Sequence, residues 1–201
     1  MKIILSLTFV ATLTLAFAAT VEQQGCLNVQ AKEKFEPRKY FKGTWYLTNV
    51  QKTLSSPTDL CRESKSDVLE DGTVVHKVYG YSDKKTPEFA VTECTTNLKE
   101  ITGDLGKVPL HCKAQTADKL LEFDFEGTVL ETDYDHFAVF YACGKSQNKE
   151  IGNCLVLNRD KNGDPTDSRV VETLKKHGLD LSNFVSRKNV HCKEHPDTVN
   201  N

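Results

Sequence analysis

The sequence predicts an all-β fold of antiparallel, up-and-down strands with one helix near the C-terminus, on three observations. First, segments rich in β-branched and aromatic residues recur along the chain: Thr44 to Val50, Thr73 to Tyr81, Glu88 to Thr95, Val108 to Ala114, Leu120 to Glu131, His136 to Cys143 and Asn153 to Asn158. Second, turn clusters such as Glu70-Asp71-Gly72 and Gly103-Asp104-Leu105-Gly106 separate them. Third, one stretch carries a helical stripe, Val170, Val171 and Leu174. It follows the start signal Pro165-Thr166-Asp167-Ser168 and runs through Lys175, Lys176 and His177 to a terminating Gly178. No internal repeat, linker or second domain interrupts this pattern.

The chain opens with Lys2, an apolar run from Ile3 to Phe17 and the small-x-small triplet Ala16-Phe17-Ala18. That is the pattern of a secretory signal peptide, residues 1–18, cleaved after Ala18 or Ala19. The expected organisation is therefore this segment followed by a single domain over residues 19–201. No later apolar run approaches the roughly 18 residues a membrane helix needs. The formal net charge of −2, without a long run of either sign, argues against nucleic-acid or polybasic membrane partners.

Three short, separated marks narrow the fold. Gly43-Thr44-Trp45, Thr132-Asp133-Tyr134 and Arg159, at the end of an apolar run, stand in the order of the three signature regions of a lipocalin, which the chain resembles. The resemblance implies an eight-stranded antiparallel up-and-down barrel with one C-terminal α-helix packed outside, Gly43 and Trp45 opening the first strand and Arg159 covering the tryptophan. Four further stretches, Phe35 to Tyr46, Leu60-Cys61-Arg62, Ala138 to Cys143 and Val156 to Arg159, are similar to the salivary lipocalins of triatomine bugs. That group contains triabin, pallidipin and the nitrophorins.

An eight-stranded barrel leaves room for one small ligand. If Trp45 faces the floor, period-two alternation places Leu47 and Asn49 inside with it and sends Tyr46 and Thr48 outward. Leu121, Phe123 and Phe125 form one apolar face against Glu122, Asp124 and Glu126. Asn153, Leu155 and Leu157 share another face, opposite Cys154 and Val156. The expected cavity lining is Leu47, Val78, Phe123, Phe125, Phe140 and Leu155 around polar points at Asn49, His76, His136 and Asn153. Such a lining suits an amphipathic molecule of a few hundred daltons.

Seven cysteines, Cys26, Cys61, Cys94, Cys112, Cys143, Cys154 and Cys192, are scattered without a C-x-x-C pair, which fits bridges in an oxidising compartment. Their connectivity does not follow from spacing, although Cys94 and Cys112 flank a connection between two strand-like segments. The resemblance implies Cys26 with Cys143, Cys61 with Cys192 and Cys94 with Cys112. It leaves Cys154 as a free thiol, either buried and inert or available for an intermolecular bridge.

Other motifs carry less. Gly144-Lys145-Ser146 lacks the glycine a phosphate loop needs five positions earlier, where Val139 stands. Asp160-Lys161-Asn162-Gly163-Asp164 begins like a calcium loop but continues with Pro165 and ends on Val171, so it reads as a turn. His191, Cys192 and His195 have metal-like spacing, but the resemblance assigns Cys192 to a bridge, so no metal site is expected. Haem is not expected either. The nitrophorin resemblance would place the iron-ligating histidine where this chain has Gly80, within Val78-Tyr79-Gly80-Tyr81.

The resemblance implies a binding protein without catalytic residues or cofactor, not an enzyme. It would be secreted in saliva, act as a monomer and sequester a small host mediator. A thromboxane-type eicosanoid is favoured over ADP or a biogenic amine, either of which would need charged residues, such as Lys84, Lys85 or Lys107 at the mouth for a nucleotide. The alternative mode is engagement of thrombin or another clotting protease through the outer surface.

Overall fold

The computed structural model describes residues 25–53, 60–81, 89–101, 103–115, 120–146 and 149–195. The signal segment, Lys84 and Lys85 lie outside the described residues. A helical turn α1 (Pro37–Tyr40) leads into β1 (Gly43–Gln51), β2 (Glu63–Val68), β3 (Thr73–Tyr81), β4 (Phe89–Asn97), β5 (Lys107–Gln115), β6 (Leu120–Thr132), β7 (Phe137–Ser146) and β8 (Lys149–Asn158). Helix α2 (Ser168–Lys176), a 3-10 turn at Leu181–Asn183 and a short β9 (Phe184–Ser186) complete it. Each strand from β2 to β7 pairs with its successor, and β1 pairs with both β8 and β2, closing an eight-stranded barrel with no free edge there. Strand β9 adds to β1 at Asn49 to Gln51, beyond the point where β2 leaves it.

The registers gather the start of β1, the β2–β3, β4–β5 and β6–β7 turns and the end of β8 at one end, which is closed. Its floor is built on Arg159. The guanidinium lies 3.5 Å over the Trp45 ring, and its nitrogens donate to the carbonyls of Tyr134, Lys42, Thr44, Lys39 and Tyr40 at 2.6 to 3.4 Å. Trp45 Nε1 donates to Tyr40 O at 3.0 Å, so ring, arginine and α1 share one set of carbonyls. Gly43, at φ +68, turns the chain into β1 where an added Cβ would sit 3.9 Å from Arg159 Nη1. In the β6–β7 turn, Thr132 Oγ1 donates to Phe137 O while accepting from Tyr134 N, and Asp133 accepts from the backbone of His136 and Phe137. Tyr134 is thereby held at φ +71, offering its carbonyl to Arg159 and its hydroxyl to Glu36 N.

Helix α2 begins where its start signal predicts: Asp167 caps it by accepting from Arg169 N at 2.9 Å, and Gly178 at φ +71 follows its end. Val170 and Leu174 are fully buried against the outer faces of β6 and β7, in one cluster with Leu130, Val139, Tyr141, Cys154 and Val156. Three disulfides tie the chain: Cys26–Cys143, Cys61–Cys192 and Cys94–Cys112. Cys154 is fully buried beneath α2, so its thiol reaches no second chain while the helix is docked. Burial pushes that thiol up to about 12, and it stays protonated.

Two elements depart from the sequence reading. Strand β2 carries no strand signal of its own, because Glu63-Ser64-Lys65-Ser66-Asp67 has low β propensity. It is a strand because it closes the barrel, with Ser64 and Ser66 buried inside. A bulge between Leu47 and Asn49 breaks the period-two alternation of β1. Past it Asn49 pairs with Val156, on the helix side, and Val50 pairs with Leu155, on the cavity side.

Arg159→Ala removes both the stacked cation and five carbonyl contacts, and should cost about 3 kcal/mol of unfolding free energy. Urea denaturation measures it; Arg159→Lys should recover less than half of the loss, because a point charge cannot fork to the same carbonyls.

Candidate ligand-binding cavity

Inside the barrel lies a cavity of about 260 Å³, floored by Tyr40, Phe41 and Trp45. Its two walls differ in chemistry. The wall from β5 to β8 is apolar, with Leu110, Phe123, Phe125, Phe140, Ala142, Leu155 and Leu157. Gly127 permits this packing: a Cβ there would meet Phe140 Cζ at 2.5 Å, so only glycine lets that ring lie against β6. The wall from β2 to β4 carries Ser64, His76, Val78, Thr92 and Cys94, with Arg62 immediately before β2.

His76 and Ser66 are cross-strand partners whose Nδ1 and Oγ lie 2.7 Å apart, and the imidazole meets the Phe41 ring edge-on at 6.1 Å. Burial lowers the His76 pKa to about 4, so the ring is neutral near pH 7 and presents hydrogen-bonding capacity without charge. The Cys94–Cys112 bridge lies on the same inner surface, buried beside His76, to which Cys94 is paired. Arg62 is the one cation among the described lining residues. Glu63 also borders the cavity but pairs with the outward Tyr46 and Tyr79, and its carboxylate lies 3.7 Å from His195 on the outside.

Of the predicted lining, Leu47, His76, Val78, Phe123, Phe125, Phe140 and Leu155 border this cavity. Three positions need correction. Asn49 is buried on the helix side of the sheet, turned there by the β1 bulge. His136 sits in the β6–β7 turn at the closed end, 81% exposed and 3.0 Å from Asp133; the strand begins one residue later, at Phe137. Asn153 is on the inward face, opposite Ala142, but its amide nitrogen is engaged by Gln51 O and Thr53 Oγ1 and it does not line the cavity. Lys107, considered for the mouth, begins β5 at the closed end. Sequence reasoning missed Arg62, Ser64 and Thr92, since a polar inward face gives no apolar period to detect.

Comparison with known proteins follows the same lines. A sequence model of the Nitrophorin family matches residues 26–201. Platelet inhibitor triplatin-2 of Triatoma infestans is 30% identical over 192 residues, covering 96% of this chain and 100% of that protein. Nitrophorin-3 of Rhodnius prolixus is 30% identical over 176 residues, 82% of each chain. The tryptamine complex of the amine binding protein of Rhodnius prolixus superposes with a TM-score of 0.76 at 20% identity, over 87% of this chain and 93% of that one.

Among the described residues, the position that the resemblance gives to a haem-iron ligand holds no side chain that could coordinate it. Gly80 holds the inward position on β3 and has no side chain. His76 lies deeper, its Nδ1 at Ser66 and its ring packed edge-on against Phe41 at the floor.

The depressed His76 pKa sets a pH dependence. The unfolded chain takes up a proton near pH 6.5 and the folded one only near pH 4, so stability should fall as pH drops through that window, by up to about 3 kcal/mol, and flatten below it. Denaturant titrations from pH 7 to 4 measure the loss, and His76→Gln should remove that part of the slope.

Proposed function

The chain belongs to the nitrophorin family, and from that we propose that it is a secreted salivary binding protein that sequesters a small amphipathic mediator of host haemostasis. The observation that supports this reading best is the division of the cavity. One wall is aliphatic and aromatic, and the other offers hydroxyls and a neutral imidazole, with one cation, Arg62. An oxygenated lipid acid of the thromboxane type matches it, with its hydrocarbon against Phe125, Phe140 and Leu155 and its carboxylate at Arg62. A biogenic amine would need an inward carboxylate, and Glu63 sends its own to the outside. The resemblance to a platelet inhibitor supports an outcome in which platelet aggregation or vasoconstriction is damped by stoichiometric capture. Capture at mediator levels below micromolar needs a nanomolar dissociation constant, roughly −12 kcal/mol, which a preformed, largely dry pocket favours.

Calorimetric titration of the mature protein with a stable thromboxane mimic should give a 1:1 exotherm of submicromolar affinity. Arg62→Gln should weaken it by about 2 kcal/mol, the value of a charge-assisted hydrogen bond, and Phe125→Ala by a comparable amount. Silence at tens of micromolar would sink the eicosanoid reading. A lengthened clotting time with unchanged responses to low agonist doses would instead favour a clotting factor engaged by the outer surface.

A further inference from the structure

A second concavity, about 730 Å³, lies outside the barrel. Its floor is the outward face of β1 and β2, at Thr44, Tyr46 and Lys65. One wall is the turn at Lys161 to Asp164, and the other is the C-terminal tail from Arg187 to His195. The tail is fixed there at several points. Arg187 N donates to Thr48 O at 2.7 Å, Cys192 is bridged to Cys61, and Lys188 Nζ donates to Asp164 Oδ2 at 2.7 Å, joining the two walls. Beyond the bridge, the His195 ring packs 5.5 to 6.2 Å from Phe89, Tyr81 and Tyr79 and is buried. The groove is therefore a preformed surface, not the gap beside a loose end.

Its charge opposes that of the chain. The protein carries a net −2, yet this groove concentrates Lys65, Lys161, Arg187, Lys188 and Lys193. Three carboxylates stand among them: Asp164 is held by Lys188, Glu63 lies against His195, and Glu194 is exposed, so the cations outnumber the anions by five to three. Four of the five cations are lysines, compact point charges that suit phosphate oxygens from any direction. The aromatic faces are occupied: Arg187 lies 5.6 Å over Tyr46, and Lys65 lies 5.7 Å over Tyr79. Among the described lining residues His191 is the ring left exposed, and no tyrosine face stands open beside it for a nucleobase.

We propose that this outer groove is a second binding site, separate from the cavity and from the mediator reading above, for a chain of condensed phosphates. Such a chain occurs as free inorganic polyphosphate or as the triphosphate of a nucleotide. Its charge density matches cations crowded into one groove better than the wider spacing of sulfates on a polysaccharide does.

Inorganic tripolyphosphate, titrated into the mature protein at low salt, tests this directly. Binding should be 1:1 and weaken by about tenfold or more when salt is raised to physiological strength, as screening requires. The double variant Lys161→Glu with Lys193→Glu, which reverses one charge on each wall, should lose at least about tenfold in affinity. Lys107→Glu with Lys175→Glu, an equal charge change elsewhere on the surface, should lose less than about twofold. Adenosine triphosphate should bind as tripolyphosphate does if the phosphates alone are read. Equal losses in the two double variants, displacement of tripolyphosphate by a cavity ligand, a nucleotide much tighter than tripolyphosphate, or binding of a heparin oligosaccharide with none of tripolyphosphate would each overturn the proposal. Because the groove variants leave every cavity residue in place, a failed thromboxane titration and a failed tripolyphosphate titration are separate results.

Discussion

The contact on which the rest of this barrel depends is the guanidinium of Arg159 lying over the indole of Trp45. A closed sheet leaves a hole at each end, and here one hole is sealed by a planar cation on a planar ring. The arginine is half-buried, and burial lowers its pKa, with partial compensation from Tyr40 and Asp135. The five carbonyl acceptors around it are what make a charge at that depth tolerable. They come from the adjoining α1 segment and start of β1 and from the β6–β7 turn, so a single side chain at the end of β8 sets the relative placement of two parts of the sequence far from it and from each other in number. Placing Trp45 and Tyr40 at the floor in turn fixes the depth of the cavity above them.

With the floor closed, the asymmetry of the walls follows from which strands are shielded outside. Strands β7 and β8 are apolar on both sides: outside, Val139, Cys154 and Val156 share one cluster with α2, and inside lie Phe140, Leu155 and Leu157. Strands β3 to β6 carry an outer ladder of charges, including Lys77 with Glu93, Lys113 with Glu122, and His111 with Asp124. A cross-strand ladder of this kind adds little stability at such exposure, but it keeps that face wetted. The polar inner positions, Ser64, Ser66, His76 and Thr92, fall on the β2 to β4 side. There Ser66 and His76 satisfy each other, and the ring stays uncharged in the low-dielectric interior.

What the sequence revealed depended on how each residue is recognised. Trp45, Thr132, Asp133, Tyr134 and Arg159 are legible because the floor they build has few chemical solutions. Leu47, Phe123, Phe125, Phe140 and Leu155 are legible because apolar residues at period two have only one dry side to face. Asn49 was misread since a bulge costs no change in composition; the extra residue at Thr48 reverses the parity of everything after it. His136 was misread because the strand starts at Phe137, one step beyond the boundary that its neighbours imply. Strand β2 and Arg62 were missed for a common reason: their residue types favour no strand on their own, and their place is assigned by the partners that the closed barrel brings to them.

The pattern of the two long disulfides has a consequence for integrity rather than shape. Cys26 is tied to Cys143 and Cys61 to Cys192, spans that overlap without either enclosing the other. Any single peptide bond cut between Cys26 and Cys192 therefore leaves its two fragments covalently joined, whether the cut falls before Cys61, between Cys61 and Cys143, or after Cys143. A protease that nicks one connection yields a two-chain molecule that still carries the floor, the cavity walls and the tail together. Interlocked spans of this kind make a single cleavage survivable.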